Sequence, residues 1–308
     1  IGLVVIDEQH KFGVHQRILL NEKAGNSCDI LLMTATPIPR TMELAAYGDM
    51  DISKISEKPK NRKEIITKSI NINKIDQLKE SLTKILNKKQ KIYWVCPLID
   101  ESEKLQLQSV NSRVNDLKKY YSSNSVGLVH GQMSQDEKND VMSKFKDKKI
   151  DILVATSVIE VGIDDPDATV MIIENSERYG LSQLHQLRGR VGRGNIQSTC
   201  ILLFEGPLTD NAKRRLKVMK ETNDGFLIAE EDLDIRGAGE ILGSKQSGIP
   251  NFRLSNLDKH KHILEEARGV AMDIVKEDPD LKKSAGKAQR TLLHLFRNQV
   301  AIDYLKTG

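Results

Sequence analysis

The feature that most constrains this fold is the alternation of short apolar runs with longer amphipathic stretches. The stretches, such as Ile75–Leu86 and Gln135–Phe145, carry apolar residues at helical spacing, and the runs have the length of buried strands. Strands joined by helices run parallel, because each helix returns the chain to the edge where the previous strand began. The predicted strands are Leu3–Ile6, Ile30–Met33, Ile92–Val95, Val126–Val129, Ile152–Ala155, Val170–Ile173 and Thr199–Phe204. The sequence therefore predicts an α/β fold built on parallel sheets.

The composition is that of a globular chain. Apolar residues make up 39% of the 308 residues and charged residues 29%, which excludes a disordered or membrane-embedded protein. No apolar run approaches the roughly 20 residues of a membrane helix. The N-terminal run Ile1–Ile6 is too short for a signal peptide and lacks its basic flank. Because the chain opens inside a predicted strand without a methionine, we expect it to be a fragment of a longer protein.

The cysteines indicate a reducing compartment. Cys28, Cys96 and Cys200 lie far apart and fit neither a disulfide framework nor a zinc-site spacing. We expect each to pack as a small apolar side chain in a cytoplasmic protein.

Charge alone says little about binding partners. The formal net charge is +4, from 47 basic and 43 acidic residues, so composition is weak evidence for nucleic-acid binding. Two basic clusters stand out. They are Lys58, Lys60, Arg62 and Lys63, and Lys213, Arg214, Arg215, Lys217 and Lys220. Taken alone, either cluster is most simply a solvated surface.

Changes of pattern indicate several domains. The charged segment Glu57–Lys63, which contains Pro59, predicts a linker between two α/β units. After Phe204 the alternation of strands and helices ends. Two helices and a glycine-rich loop are predicted next, followed by a helical region that Pro279 divides into two helices. The predicted divisions are residues 1–57, 64–205, 206–256 and 257–308.

Two adjacent carboxylates follow the first predicted strand, in the sequence Asp7-Glu8-Gln9-His10. Acidic side chains at a strand end suit nucleotide hydrolysis, since one can hold Mg²⁺ and the other can orient the attacking water. Acidic pairs are also common at solvated strand ends, so this pair alone leaves both interpretations open.

A hydroxyl-rich turn follows the second predicted strand, in the sequence Thr34-Ala35-Thr36-Pro37-Ile38-Pro39-Arg40. Its two hydroxyl groups can bond a neighbouring carboxylate or phosphate. The alternative is an ordinary turn rich in threonine and proline.

An arginine-rich segment follows the predicted strand Val170–Ile173, in the sequence Gln186-Leu187-Arg188-Gly189-Arg190-Val191-Gly192-Arg193. Its glycines allow close backbone packing, and its arginines, spaced by three residues, are expected on one helical face. Guanidinium groups bind phosphate through two hydrogen bonds and can neutralise charge on a transferred phosphoryl group. The segment therefore predicts a phosphate site.

In their order along the chain these motifs resemble motifs II, III, V and VI of superfamily 2 helicases. The counterpart of motif V is Val154-Ala155-Thr156-Ser157-Val158-Ile159-Glu160-Val161-Gly162-Ile163-Asp164. The stretch Val129-His130-Gly131-Gln132-Met133 resembles the motif that opens the DNA-contacting surface of the second helicase domain. The resemblance implies two RecA-like domains, the first partial and the second complete. A translocation motif, made of a helical hairpin and a loop, and C-terminal helices would follow.

Within this superfamily the chain resembles the RecG family. The resemblance is carried by Gln9, Lys11–Arg17, Ala46–Asp51, Asn223–Ala229 and Asp232–Gly237. The last two stretches resemble the translocation motif that RecG shares with the transcription-repair coupling factor, which is the alternative family. That relative normally has Glu at the position of Gln9 and lacks the Tyr47-Gly48-Asp49 of this chain.

The resemblance implies that ATP and Mg²⁺ are the cofactors. Asp7 and Glu8 would form the metal site, with Asp7 binding Mg²⁺–ATP and Glu8 acting as the general base. Arg190 and Arg193 would be the arginine fingers, and Gln186 would support them. Gly162 and Asp164 would lie near the ribose of the nucleotide.

The resemblance also implies residues that contact DNA or couple hydrolysis to movement. They are Gln9 and His10, Thr34 and Thr36, His130 and Gly131, Thr156 near a DNA phosphate, Arg215 in the hairpin, and Arg236 and Gln246 in the loop. The implied partners are branched double-stranded DNA, as replication forks and Holliday junctions, and single-stranded-DNA-binding protein. The implied state is a monomer without membrane contact.

One motif of the family is absent from these residues. A phosphate-binding loop has the form G-x-x-x-x-G-K-[ST], but Gly286-Lys287 is followed by Ala288, and Leu281 stands where the first glycine belongs. The family's N-terminal wedge domain is also not found. We expect the intact protein to hydrolyse ATP and to reverse stalled forks in DNA repair and recombination, and the fragment alone to be inactive. A DNA-binding fragment without ATPase activity is the remaining alternative.

Overall fold

The computed structural model describes most of the chain. The described residues are 2–8, 28–39, 51–55, 57, 62–97, 103–121, 125–156, 165–236 and 260–295. The chain divides into two compact units. The first comprises residues 1–34, 38–54 and 236–308, and the second comprises residues 35–37 and 55–235.

Two parallel strands lie in the first unit. Strand β1 (Leu3–Asp7) pairs in parallel with β2 (Asp29–Met33), and both match predicted strands. Because the carboxyl ends of parallel strands meet at one edge of a sheet, the residues that follow them, Glu8 and Thr34, come close together. The pairing of these two strands therefore brings the acidic pair and the hydroxyl-rich turn to the same place.

The second unit is built on a parallel sheet of six strands in the order β3-β8-β7-β4-β6-β5. The strands are β3 (Ile66–Asn71), β4 (Lys91–Cys96), β5 (Val126–Val129), β6 (Ile152–Thr156), β7 (Ala168–Ile173) and β8 (Thr199–Phe204). Strands β4, β6 and β7 are buried along their whole length, as their continuous apolar sequences predict. The prediction of a parallel α/β sheet is confirmed.

Strand β3 was not among the predicted strands. Its sequence mixes polar and apolar residues because it is an edge strand, paired with β8 and partly exposed. An edge strand has less contact with the core, so it does not need a continuous apolar sequence, and the pattern that identified the central strands is absent from it.

Helices cover both faces of this sheet. They are α1 (Ile75–Leu86), α2 (Glu103–Tyr120), α3 (Gln135–Lys146) and α4 (Leu181–Arg188). Alternate residues of β4 point to opposite faces, so that Tyr93 lies in one buried cluster with Phe145 of α3, and Trp94 in another with Leu82 of α1 and Leu117 of α2.

Helix α3 begins with a capping box. The hydroxyl of Ser134 accepts a hydrogen bond from the backbone N–H of Glu137 at 3.3 Å, and the Glu137 carboxylate accepts one from the backbone N–H of Ser134 at 2.8 Å. This arrangement satisfies two backbone donors that the first turn of a helix leaves open. The position of Ser134 and the spacing to Glu137 therefore determine where α3 starts.

A helical hairpin completes the second unit. Its helices are α5 (Asp210–Glu221) and α6 (Gly225–Arg236), and the Arg214–Glu231 ion pair joins them with 2.7 Å between nitrogen and oxygen. Met219 and Ile228 belong to the same buried cluster as Tyr93. The hairpin thus packs onto the core of the sheet, whereas the predicted boundaries separate residues 206–256 from residues 64–205.

Two further helices, α7 (Lys261–Glu277) and α8 (Ser284–Leu295), lie in the first unit. The Asp278 carboxylate accepts hydrogen bonds from the backbone N–H groups of Lys282 and Lys283 at 2.9 and 2.8 Å, and this turn separates the helices. The predicted break at Pro279 is confirmed. Within the part of the chain that is described, no helix has the length and apolar character needed to cross a membrane.

Candidate functional site

The acidic pair lies at the carboxyl end of β1. The backbone N–H of Glu8 donates to the Asp7 carboxylate at 2.9 Å, and the Thr34 hydroxyl donates a longer hydrogen bond of 3.5 Å to the Glu8 carboxylate. Glu8 has φ of +50°, a left-handed conformation that is uncommon for residues other than glycine. Such backbone strain is concentrated at functional sites, because the surrounding structure must enforce it.

The donor set of this pair fits a magnesium ion. Mg²⁺ prefers oxygen ligands and commonly uses one or two carboxylates together with nucleotide phosphates and water. Among the residues with described positions, no group of three or more His, Cys, Asp or Glu side chains is placed to hold a metal ion.

The arginine-rich segment forms a helix end and a turn. Helix α4 ends at Arg188, so Arg190 and Arg193 lie beyond it, the first half-buried and the second exposed. The expectation that they share one helical face is therefore wrong. The turn depends on Gly192, which has φ of +76° and whose added Cβ would lie only 2.9 Å from the Ile65 side chain.

Two predicted site residues from different motifs meet within the second unit. The side-chain amide of Gln186 donates to the Thr36 hydroxyl at 2.6 Å. Close by, a Cβ on Gly225, the first residue of α6, would lie 2.8 Å from Pro37 and 2.9 Å from His185. The turn at residues 35–37, helix α4 and the start of α6 are therefore packed with no room for a side chain at Gly225.

Arg188 is a buried residue for which the sequence predicted no individual role. It is only 2% exposed, and its Nη1 donates to the backbone carbonyls of Met219 and Thr222 at 3.0 and 2.9 Å. Burial lowers the pKa of its guanidinium group, and the nearby Cys200 opposes this shift. Arg188 joins α4 to the end of α5, where backbone carbonyls lack helical partners. Its position in the apolar spacing of α4, four residues after Leu184, is the signal that could have identified it.

Two predicted DNA-contact residues follow neighbouring strands. His130 comes directly after β5 and Thr156 ends β6, and the register of these strands places them at the same edge of the sheet. Thr156 is 3% exposed. Neither its hydroxyl nor Nδ1 of His130 has a hydrogen-bond partner among the described residues. Buried polar groups of this kind are candidates for a functional role.

The predicted hairpin residue Arg215 is half-buried on α5. Its Nη2 donates to the backbone carbonyl of Glu177 at 2.7 Å, in the turn that precedes α4. The predicted loop residue Arg236 is instead the last residue of α6, because the helix extends up to the glycine-rich segment. The backbone carbonyl of Gly131 accepts a hydrogen bond from Lys138 at 3.2 Å. Gln9, His10, Gly162, Asp164 and Gln246 lie outside the described residues.

A buried ion pair lies directly after the predicted ribose contact at position 164. Nζ of Lys91, at the start of β4, is 2.6 Å from the Asp165 carboxylate, and the two side chains are 1% and 9% exposed. The same ammonium group donates to the backbone carbonyl of Lys146 at 3.1 Å and lies 5.0 Å from the centre of the Phe145 ring. Lys91 thus joins the end of α3 to the start of the chain segment that leads into β7.

Two family models match separate parts of the chain. Residues 73–195 match the family model described as helicase conserved C-terminal domain, and residues 222–300 match the model for ATP-dependent DNA helicase RecG, domain 3, C-terminal. ATP-dependent DNA helicase RecG of Streptococcus pneumoniae is 48% identical over 291 residues, which cover 92% of this chain and 43% of that protein. The protein of the same name from Pasteurella multocida is 47% identical over 289 residues, covering 91% of this chain and 41% of that protein.

A solved structure of RecG bound to a three-way DNA junction superposes with a TM-score of 0.64 and 42% sequence identity, covering 86% of this chain and 33% of that one. The chain spans about two fifths of the length of the curated relatives that it matches. The similarity extends over about nine tenths of this chain, from the motif-bearing sheets to the C-terminal helices. The chain therefore belongs to the RecG family of ATP-dependent DNA helicases.

Proposed function

We propose that this chain is the motor portion of an ATP-dependent helicase that translocates on double-stranded DNA and reverses stalled replication forks in repair and recombination. The observation that carries the proposal is the contact between Gln186 and Thr36 at 2.6 Å, because it joins two motifs that helicases use in hydrolysis. Arg188 links the same helix to the hairpin. The relative solved on a three-way junction supports branched DNA, including forks and Holliday junctions, as the substrate.

The chemistry would use side chains from the acidic pair and from the arginine-rich segment. When bound, Mg²⁺–ATP supplies the phosphoryl group that is transferred to water. Asp7 would hold the ion, and Glu8, whose carboxylate lies beside the Thr34 hydroxyl, would accept a proton from the attacking water. Arg190 and Arg193 would donate hydrogen bonds to phosphate oxygens and offset the negative charge there.

Glu8→Gln tests the general base in the full-length protein, meaning one that contains both this chain and a phosphate-binding loop. The variant should keep ATP binding and lose hydrolysis by about 10²-fold or more, since an amide cannot accept the proton of water. Binding of a fluorescent ATP analogue and release of phosphate measure the two effects. Glu57→Gln, at an exposed position, is the matched control and should turn over normally. Normal turnover of Glu8→Gln would remove Glu8 from the chemistry.

Arg236→Ala tests the coupling of hydrolysis to movement. Arg236 ends α6 and directly precedes the glycine-rich segment, so we expect it to pass movement of the hairpin to that segment. DNA-stimulated ATP hydrolysis should stay largely intact while fork unwinding falls sharply. Both rates are measured on one preparation, with Lys217→Ala on α5 as the control.

A different role of Arg236 would give a different result. If it contacts a DNA phosphate, DNA affinity should fall and its salt dependence should become shallower. Equal losses of hydrolysis and unwinding would contradict the coupling role.

We also propose a cellular location and partners for the protein. All three cysteines are free thiols. Burial raises the pKa of Cys96 well above its usual value and that of Cys200 to about 12, so both pack as neutral side chains. These thiols support a cytoplasmic location. A monomeric state and binding to single-stranded-DNA-binding protein are proposed from the family resemblance.

A further inference from the structure

The basic cluster at residues 58–63 is not used by the proposed function. Of its members, Arg62 and Lys63 are described, and both are exposed. Arg62 nevertheless makes a specific contact, because its Nε donates to the backbone carbonyl of Gly192 at 3.1 Å. Gly192 lies between Arg190 and Arg193. A residue that resembled a solvated charge in the sequence therefore binds the turn that carries the proposed arginine fingers.

This hydrogen bond is one of several contacts between residues 62–66 and residues 192–198. The side-chain amide of Gln197 donates to the Glu64 carbonyl at 2.5 Å, and the backbone N–H of Ile66 donates to the Ser198 carbonyl at 3.0 Å, where β3 joins β8. Ile65 is buried against Gly192, and a Cβ added to Gly192 would lie 2.9 Å from the Ile65 side chain. Residues 62–66, which lead into β3, thus contact the segment at residues 192–198 at several points.

The geometry of the peptide unit explains what Arg62 controls. The carbonyl oxygen of Gly192 lies in the same plane as the backbone nitrogen and Cα of Arg193, because the peptide bond is planar. Gly192 has φ of +76° and no side chain, so its own backbone has unusual freedom. A donor that binds this oxygen therefore fixes the orientation of the peptide plane that precedes Arg193, and with it the direction in which the Arg193 side chain leaves the backbone.

We infer that Arg62 is a positioning residue for the arginine fingers, above all for Arg193, and that it does not serve as a DNA phosphate contact. This inference rests on the proposed role of Arg193 in ATP hydrolysis. It gives the segment before β3 a second function, since the segment would set the geometry of the turn at residues 189–198 in addition to linking two parts of the chain.

The test compares Arg62→Ala, Arg62→Lys and Lys63→Ala in the full-length protein. Arg62→Ala should lower kcat for ATP hydrolysis by about tenfold or more, since small displacements of a catalytic group have large effects on rate. KM for ATP, DNA affinity and the salt dependence of DNA binding should not change. Arg62→Lys keeps the charge but loses the Nε donor, so it should also be impaired. Lys63→Ala, the matched control, should behave as the unmodified protein.

The opposite pattern would overturn the inference. A phosphate contact would lower the DNA affinity of Arg62→Ala, make its salt dependence shallower and leave Arg62→Lys nearly normal. Urea unfolding, followed by circular dichroism, should show an unchanged midpoint for both Arg62 variants and so separate lost positioning from lost folding. Failure of the proposed function is distinguishable, because the unmodified full-length protein would then show no DNA-stimulated ATP hydrolysis, and failure of the proposed role of Arg193 would leave Arg193→Ala with a normal rate. If Arg193→Ala is inactive and Arg62→Ala is normal, only the inference fails.

Discussion

Arg193→Ala should reduce ATP hydrolysis by about 10³-fold or more in the full-length protein, the range found when an arginine finger is removed. Arg193 is exposed in the turn after α4, so its truncation should change the stability of the fold little. The loss would therefore report the missing positive charge at the transferred phosphoryl group. The measurement is kcat at saturating ATP and DNA, together with the urea midpoint of the variant.

Arg178→Ala is the matched control for this experiment. Arg178 is also an exposed arginine of the second unit, in the turn before α4, and its Nε lies 3.9 Å from the Glu177 carboxylate. Its variant should hydrolyse ATP at the normal rate. A normal rate for Arg193→Ala would exclude Arg193 from the reaction and leave Arg190 as the candidate.

Lys91→Met should lower the free energy of unfolding of the second unit by about 3–5 kcal/mol, because it leaves the buried Asp165 carboxylate without its opposite charge. The 2.6 Å contact and the burial of both side chains are the basis of this expectation. Trp94, the single tryptophan of the sequence, is buried on the same strand and reports the transition. Equilibrium urea unfolding followed by its fluorescence measures the change.

Two variants separate the ion pair from other effects of the substitution. Adding Asp165→Asn to Lys91→Met should recover much of the loss, since the buried charge is removed while the acceptor for the Asp167 N–H is kept. Lys148→Met breaks the nearby Lys148–Asp167 pair, which is about half exposed, and should have a much smaller effect. Equal losses for Lys91→Met and Lys148→Met would show that burial does not strengthen the first pair.

Local patterns were sufficient for much of this fold. Continuous apolar sequence predicted the central strands such as Ile152–Thr156, because a strand covered on both faces has no polar side to interrupt it. The start of α3 was predictable because Ser134 and Glu137 lie within one helical turn of each other. The proximity of Glu8 and Thr34 followed from the parallel pairing of the strands before them.

Only the tertiary structure decided which side chains bond to groups far away in the sequence. Arg188 bonds a carbonyl 31 residues away, Lys91 a carboxylate 74 residues away, and Arg62 a carbonyl 130 residues away. In the sequence, each is a basic residue like many others, because periodicity reports which face is buried and not which group lies opposite. The sequence by itself determined the parallel α/β architecture and the motifs. Packing of strands and helices decided which charged side chains are buried with a partner and which remain exposed. A charged group is buried only where a partner offsets its loss of hydration.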